Sequence, residues 1–176
     1  MSSSAVHHAP ASTWVQRFAP LIPTGGTVLD VACGSGRHTR LLLDLGHRVA
    51  AVDRDAEAIA SLSAWTGVEP LVADLEQGRW PYSGRLFTGV VVTNYLHRPL
   101  LPLLLTSIAD DGVLIYETFA RGNERYGRPS NPQFLLEPGE LLRAVAGRMR
   151  VLAFEDLYVD EPKPAMVQRI CAVRPD

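Results

Sequence analysis

Short apolar runs and helical patterns alternate along most of this chain. Apolar stretches at residues 27–31, 48–52, 68–72, 86–93 and 113–118 are each four to eight residues long and bounded by polar or turn-forming residues, so they read as buried strands. Between them lie helical patterns. Residues 37–45 place Leu41, Leu42 and Leu45 on one face with Gly46 as a stop. Residues 56–64 follow an Asp55 cap, with Glu57 near the positive end of the dipole. Residues 99–108 are leucine-rich, with Pro99 tolerated in the first turn, and residues 140–146 open after Pro138-Gly139. Two further extended runs, 149–159 and 165–173, are split only by the turn at 160–164.

Alternating strands and helices with doubly buried strands predict an α/β fold, a mostly parallel sheet with helices on both faces. The last two strands have no helix between them and are expected to form an antiparallel hairpin at one edge. Ligands of such sheets bind beyond the carboxyl ends of the strands, where the strand order reverses. Asp30, Asp53, Asp74 and Asn94 all fall at predicted strand ends on that rim. The segment 75–85 is turn-rich and leaves little room for a helix. The loop 119–137 is long for a compact domain and carries Gly, Pro and Asn throughout, which points to function.

Before the first strand, Ser12 or Thr13 caps a short helix bearing Trp14, Val15 and Phe18, ended by Pro20. Residues 1–11 read as a flexible tail, and 12–176 as one domain. His7-His8 in that tail is read as having no metal role. A net charge of −2 supplies no general attraction to nucleic acid or to an acidic membrane. Cys33 and Cys171 sit in different predicted elements, and neither belongs to a metal motif or a disulfide framework. No His/Cys cluster has ligand spacing, so no metal is expected. No secretory pattern opens the chain, and the aliphatic stretch 100–105 is too short to span a bilayer, so a cytoplasmic protein is expected.

Residues 28–36, Val-Leu-Asp-Val-Ala-Cys-Gly-Ser-Gly, carry the most chemistry. An apolar strand ends in an acid and turns through G-x-G into a helix, where glycine lets the backbone approach a ligand. A second acid, Asp53, ends the next strand and is suited to ribose hydroxyls. The dinucleotide pattern G-x-G-x-x-G fits poorly, because its third glycine falls at the β-branched Thr39. Asp30 would also repel a pyrophosphate at the helix N-terminus. An acid there suits a ligand with nearby positive charge and no phosphate, such as S-adenosylmethionine.

The run Leu29-Asp30-Val31-Ala32-Cys33-Gly34-Ser35-Gly36 resembles motif I of class I S-adenosylmethionine-dependent methyltransferases. Val52-Asp53 resembles their ribose-binding acid, and Ala73-Asp74-Leu75 the segment that reads the adenine amino group. The resemblance runs from about Thr27 to Val173. It implies a Rossmann-like, seven-stranded sheet with a C-terminal antiparallel hairpin, and S-adenosylmethionine as cofactor. It implies cofactor contacts from Asp30, Ala32, Gly34, Gly36, Asp53, Arg54, Asp74, Leu75 and Asn94. The stretch from Phe119 to Glu124 and from Pro138 to Leu142 resembles small bacterial methyltransferases loosely grouped with tellurite-resistance enzymes.

Methyl transfer is an in-line displacement in which alignment does much of the work, and a base matters only when the nucleophile must lose a proton. His97 is the base candidate by pKa class, against a plain helix-entry role, and Tyr95 either flanks the methyl or covers the adenine. Asn94-Tyr95-Leu96-His97 departs from the Asn-Pro-Pro-aromatic pattern of many nucleic-acid amino methyltransferases, so a small-molecule acceptor is favoured and nucleic acid is not. Arg98, Glu117, Arg121, Tyr126 and Arg128 are candidates for the acceptor side: Arg121, Arg125 and Arg128 with Tyr126 suit an anionic or aromatic acceptor, against the alternative that these arginines are solvated or paired with Glu117, Glu124 and Glu137. The loop 119–137 is expected to act as a lid, roofed by Phe119, Tyr126 and Phe134. A second subunit, as in a homodimer, could complete the pocket. The rivals are an RNA or protein methyltransferase, a non-catalytic cofactor-binding module supporting a partner, and an NAD-dependent oxidoreductase.

Overall fold

A computed structural model describes residues 9–176; the expected tail at 1–11, with His7-His8, lies largely outside the described residues. One seven-stranded sheet organises them, in the order β3-β2-β1-β4-β5-β7-β6. The strands are β1 (Thr27–Val31), β2 (Arg48–Asp53), β3 (Val68–Val72), β4 (Phe87–Thr93), β5 (Ile108–Phe119), β6 (Arg150–Val159) and β7 (Ala165–Val173). Strands β1 to β5 pair in parallel, while β7 runs antiparallel to both β5 and β6. The reversal at β7 returns the β6–β7 turn to the edge where the parallel strands end.

Among the described residues five α-helices flank the sheet: α1 (Thr13–Phe18), α2 (Arg37–Asp44), α3 (Ala56–Leu62), α4 (Leu101–Thr106) and α5 (Glu140–Val145). Strands β1, β2 and β4 are almost wholly buried, because both faces are covered. One face packs Leu29, Val52, Val90, Leu104, Tyr116 and Leu141 into a core. The other packs Trp14, Phe18, Leu42, Val49, Leu62 and Ile115. Helix α1 belongs to this second core: Ser12 caps it at 3.1 Å, and Trp14 Nε1 donates to the Ile170 carbonyl at 3.2 Å.

Two elements depart from the sequence pattern. The buried face of α2 is His38, Thr39 and Leu42, whereas Leu45 is exposed. Strand β5 begins at Ile108, well before the expected 113, because Asp111 and Gly112 exchange backbone bonds with Arg174. The loop 119–137 is also more ordered than a bare connection. It contains single 3₁₀ turns at Asn123–Arg125 and Pro132–Phe134, and Leu135 and Leu136 are fully buried.

Candidate functional site

The turn after β1 is built by side chains that brace it from beneath. Asp30 is buried, and its Oδ2 accepts the Thr39 hydroxyl at 2.6 Å. Burial pushes its pKa from 3.8 up to about 7, with the Thr39 hydrogen bonds and Arg37 opposing that rise. Asp30 does not line the cleft; it anchors α2 under the turn. Gly34 and Gly36 likewise shape the turn rather than line the cleft. Gly34 has φ +52 and donates its N–H to Asp53 Oδ2 at 2.8 Å. A Cβ on Gly36 (φ +82) would sit 2.5 Å from Leu62 Cδ2.

Apart from Asp111 in β5 (φ +60), the described residues that are left-handed without glycine's freedom are Ala32 and Asn94, both at φ +52. They follow neighbouring strands, β1 and β4, at the point where the sheet order reverses. Non-glycine residues held this way cost about 1–3 kcal/mol each and cluster at functional sites. Backbone bonds hold them there, with Cys33 N–H donating to the Val52 carbonyl at 3.1 Å and Asn94 N–H to the Glu117 carbonyl at 2.9 Å.

Ala32 and Asn94 both line a cleft of about 390 Å³ at the strand ends, within the roughly 300–1,000 Å³ typical of small-molecule sites. Asp53, Arg54, Asp74, Leu75 and Tyr95 line it as well, so seven of the residues expected at the cofactor or the methyl meet there. Asp53 Oδ1 accepts the Asp55 N–H at 2.9 Å and Asp74 Oδ1 the Glu76 N–H at 3.0 Å, so both carboxylates are fixed by their own turns. Tyr95 is set by Tyr116, whose hydroxyl donates to the Tyr95 carbonyl at 2.8 Å. The Tyr95 hydroxyl itself is buried and makes no hydrogen bond within 3.5 Å, although the Glu76 carboxylate stands near enough to act on it. Burial first, then the carboxylates of Glu76 and Asp74, hold its pKa far above the ordinary value, so it stays a neutral donor.

The remaining lining residues include Glu76, Thr118, Phe119, Pro129 and Phe134. Phe119 and Phe134 were legible as roof residues; Glu76 and Thr118 were not, since neither belongs to a motif. Beyond Asn94, Phe119, Pro129 and Phe134 the cleft continues into an open recess of about 550 Å³, lined also by Arg128, Ser130, Asn131 and Lys163. Lys163 Nζ lies 5.8 Å from the Phe119 ring centroid.

Several other expected site residues are held by partners or lie away from the cleft lining. His97 lies outside the lining of the cleft and the recess, at the entry to a 3₁₀ turn (Arg98–Leu100). Arg98 pairs with Glu140 at 2.7 Å and donates to the carbonyls of Gln133 and Leu135, both at 2.8 Å. It therefore clamps the long loop to α5. Glu117 pairs with Arg169 of β7, not with a loop arginine, and accepts the Ser12 hydroxyl at 2.6 Å. Arg121 is neutralised by Glu137 at 2.7 Å. Tyr126 packs on Tyr158 with centroids 5.0 Å apart and takes no part in the roof.

The donor set fits S-adenosylmethionine. Carboxylates at the ends of β2 and β3, Asp53 and Asp74, offer hydrogen-bond acceptors along the cleft. The orphaned Tyr95 hydroxyl offers a donor, and the acidic lining favours a cation over a phosphate. Among the described residues no group of His, Cys, Asp and Glu is placed to hold a metal ion, and no helix is long and apolar enough to cross a membrane.

A methyltransferase domain model matches residues 28–110. The chain is 27% identical over 169 residues to a ribosomal RNA small subunit methyltransferase H of Gemmatimonas aurantiaca, covering 94% of this chain and 51% of that protein. It thus spans about half the length of that curated relative. TehB of Haemophilus influenzae superposes with a TM-score of 0.72 at 17% identity, over 93% of this chain and 61% of that one. The glycopeptide N-methyltransferase MtfA, solved with S-adenosyl-L-homocysteine, superposes with a TM-score of 0.66 at 18% identity, over 96% and 91%. At these identities the structural likeness speaks for the fold.

Proposed function

We propose that this chain, which has the domain and the fold of the class I S-adenosylmethionine-dependent methyltransferases, transfers a methyl group from that cofactor to a small-molecule acceptor. One observation carries the reading: Ala32 and Asn94, both strained, open a single cleft edged by Asp53 and Asp74. Bound there, S-adenosylmethionine supplies a methyl group activated by a sulfonium leaving group. Asp53 accepts from the ribose and Asp74 from the adenine edge, while Tyr95 and Asn94 bound the reacting end. Phe119 and Phe134 exclude water from a reaction whose charge disperses as it proceeds. The bound cofactor would supply an electrophilic methyl carbon to the acceptor's lone pair, with its sulfur as the leaving group that keeps the bonding electrons. A proton on the acceptor, where there is one, leaves to solvent.

With His97 outside the cleft, alignment rather than a histidine base is the main source of acceleration in this reading. An acceptor that reaches the site already nucleophilic suits it. The RNA alternative is favoured by the named activity of the curated relative. It is weakened by the acidic lining of the cleft and by the pairing of Arg98, Arg121 and Arg169 with carboxylates.

Calorimetry with S-adenosylhomocysteine and NAD tests the reading. S-adenosylhomocysteine should bind and NAD should not. Asp74→Ala should cost about 10-fold or more in affinity, because a hydrogen bond to a charged group contributes roughly 1.5–3 kcal/mol. Tight NAD binding, or unchanged affinity in the variant, would overturn it. A labelled-methyl screen against a metabolite extract and against ribosomal RNA separates the two acceptor classes.

A further inference from the structure

We infer that the open recess beside the cleft recognises an anionic, flat methyl acceptor, an aromatic acid or a phosphate ester, through Arg128 and Lys163; this rests on the methyltransferase reading above. The cleft and the recess share Asn94, Phe119, Pro129 and Phe134, so they are two halves of one trough. The halves carry opposite charge. In the inner half the carboxylates of Asp53, Asp74 and Glu76 outnumber the one cation, Arg54, whereas Arg128 and Lys163 are the charged residues lining the outer half. A cationic cofactor therefore has its match inside, and the outer half matches an anion.

The two cations differ from Arg98 and Arg121 in having no carboxylate partner, a state they share with Arg54 and Arg125 among the described residues. Arg98 and Arg121, on the same stretch of structure, are each neutralised by a glutamate. Among the described residues Arg128 and Lys163 form no ion pair with a carboxylate. Lys163 is also the one lysine in the chain, carried to the rim by the β6–β7 turn. The walls between these cations and the cleft are the Phe119 and Phe134 rings, and Phe134 is 46% exposed. Aromatic rings stack on flat molecules, and a guanidinium adds bidentate recognition of carboxylate or phosphate. Ser130 and Asn131 add neutral hydrogen-bonding groups beside the cations. An acceptor pinned by its anionic end extends its reactive atom toward Asn94, where the two halves meet.

The test is calorimetry on the full chain saturated with S-adenosylhomocysteine. The probes are hydroxybenzoates, aminobenzoates and hydroxyphenylacetates, each with its neutral amide, together with phenyl phosphate. Acids should bind at least severalfold more tightly than their amides. Arg128→Gln and Lys163→Gln should each weaken acid binding about 3- to 5-fold, and the double variant about 10-fold or more, with little effect on the amides. Arg150→Gln, on the outer strand, serves as a surface-charge control. Preference for phenyl phosphate over every carboxylate assigns a phosphate ester, and the reverse assigns a carboxylic acid. Equal binding of acids and amides, or full affinity in the double variant, overturns the inference and leaves the cofactor reading standing. Loss of S-adenosylhomocysteine affinity in the double variant also overturns it, by moving both cations into the cofactor site. Failure of the wild type to bind S-adenosylhomocysteine removes the cofactor reading and the inference with it.

Discussion

Asp30 and His38, buried on adjacent elements, should give the protein's stability opposite pH dependences that mask each other. Burial raises the Asp30 pKa from 3.8 to about 7, so the folded state keeps a proton that the unfolded chain releases. Its contribution is fully present below pH 3.8 and is lost as pH rises through about 7. At about 1.4 kcal/mol per pH unit that interval amounts to about 4 kcal/mol. His38 behaves in the opposite sense. Burial, then Arg37, lowers its pKa from 6.5 to about 4. The neutral ring accepts the Ser12 N–H at Nε2 and lies 3.3 Å from the Thr93 hydroxyl at Nδ1. Its contribution is present above pH 6.5 and is lost as pH falls toward 4, about 3 kcal/mol by the same conversion. Between these limits the slopes nearly cancel.

The perturbation is Asp30→Asn, which removes the ionisation while keeping an oxygen to accept the Thr39 hydroxyl. Urea denaturation from pH 4.5 to 8 should give the wild type a shallow profile over the acid half. The variant should gain stability with pH up to about 6.5, exposing His38 alone. The difference between the two proteins isolates Asp30 from every other titrating group. It should change by about 2–4 kcal/mol in favour of the variant as pH rises from 4.5 to 8. A fixed offset, such as the cost of a buried amide N–H, does not affect that slope. A difference that stays flat across the range would refute the reasoning and leave Asp30 ionised throughout.

Gly36→Ala should destabilise the fold by about 1–3 kcal/mol, from the strain of φ +82 and the 2.5 Å approach to Leu62, read as a lower urea midpoint at unchanged slope. Arg98→Ala should free the loop from α5, with hydrogen exchange rising at residues 131–137 and little change in β1 or β4; unchanged protection would show that the clamp is redundant. Tyr95→Phe, which removes an unpartnered buried hydroxyl, should keep or raise stability while lowering S-adenosylhomocysteine affinity severalfold; equal affinity would remove that hydroxyl from the site. A chelator should leave methyl transfer unchanged, and rescue of a chelated enzyme by magnesium would point to a metal that the sequence does not foretell.

Much of the sheet was legible from its apolar runs, in the doubly buried β1, β2 and β4 and in the half-exposed β3 as well. Thr27–Val31, Val68–Val72 and Ala165–Val173 have the bounds that the apolar runs predict. Strand β5 was underread because Asp110, Asp111 and Gly112 look like a turn, and only the distant Arg174 shows that they pair. The face of α2 was misjudged for a related reason. Amphipathic counting puts leucines inside, but Thr39 and His38 are buried to satisfy Asp30 and Ser12, partners that periodicity cannot see. At the site, the acids at strand ends were legible because a strand's end fixes where its next residue points. His97 and Arg98 were chosen by chemical type, and type says nothing of direction. Lys163 reaches the recess only through the reversal at β7, a property of topology rather than of any local motif.

That reversal separates what can vary from what must stay. The turn bearing Lys163 joins two strands whose pairing is already secured along Ala165–Val173 by β5 on one side and β6 on the other. Its length and charge can change without moving the acids at the ends of β2 and β3. Descendants of this scaffold could therefore exchange one acceptor for another by rewriting a five-residue hairpin tip, residues 160–164, while inheriting the methyl-donor half intact. A library confined to that tip is a short route to altered specificity.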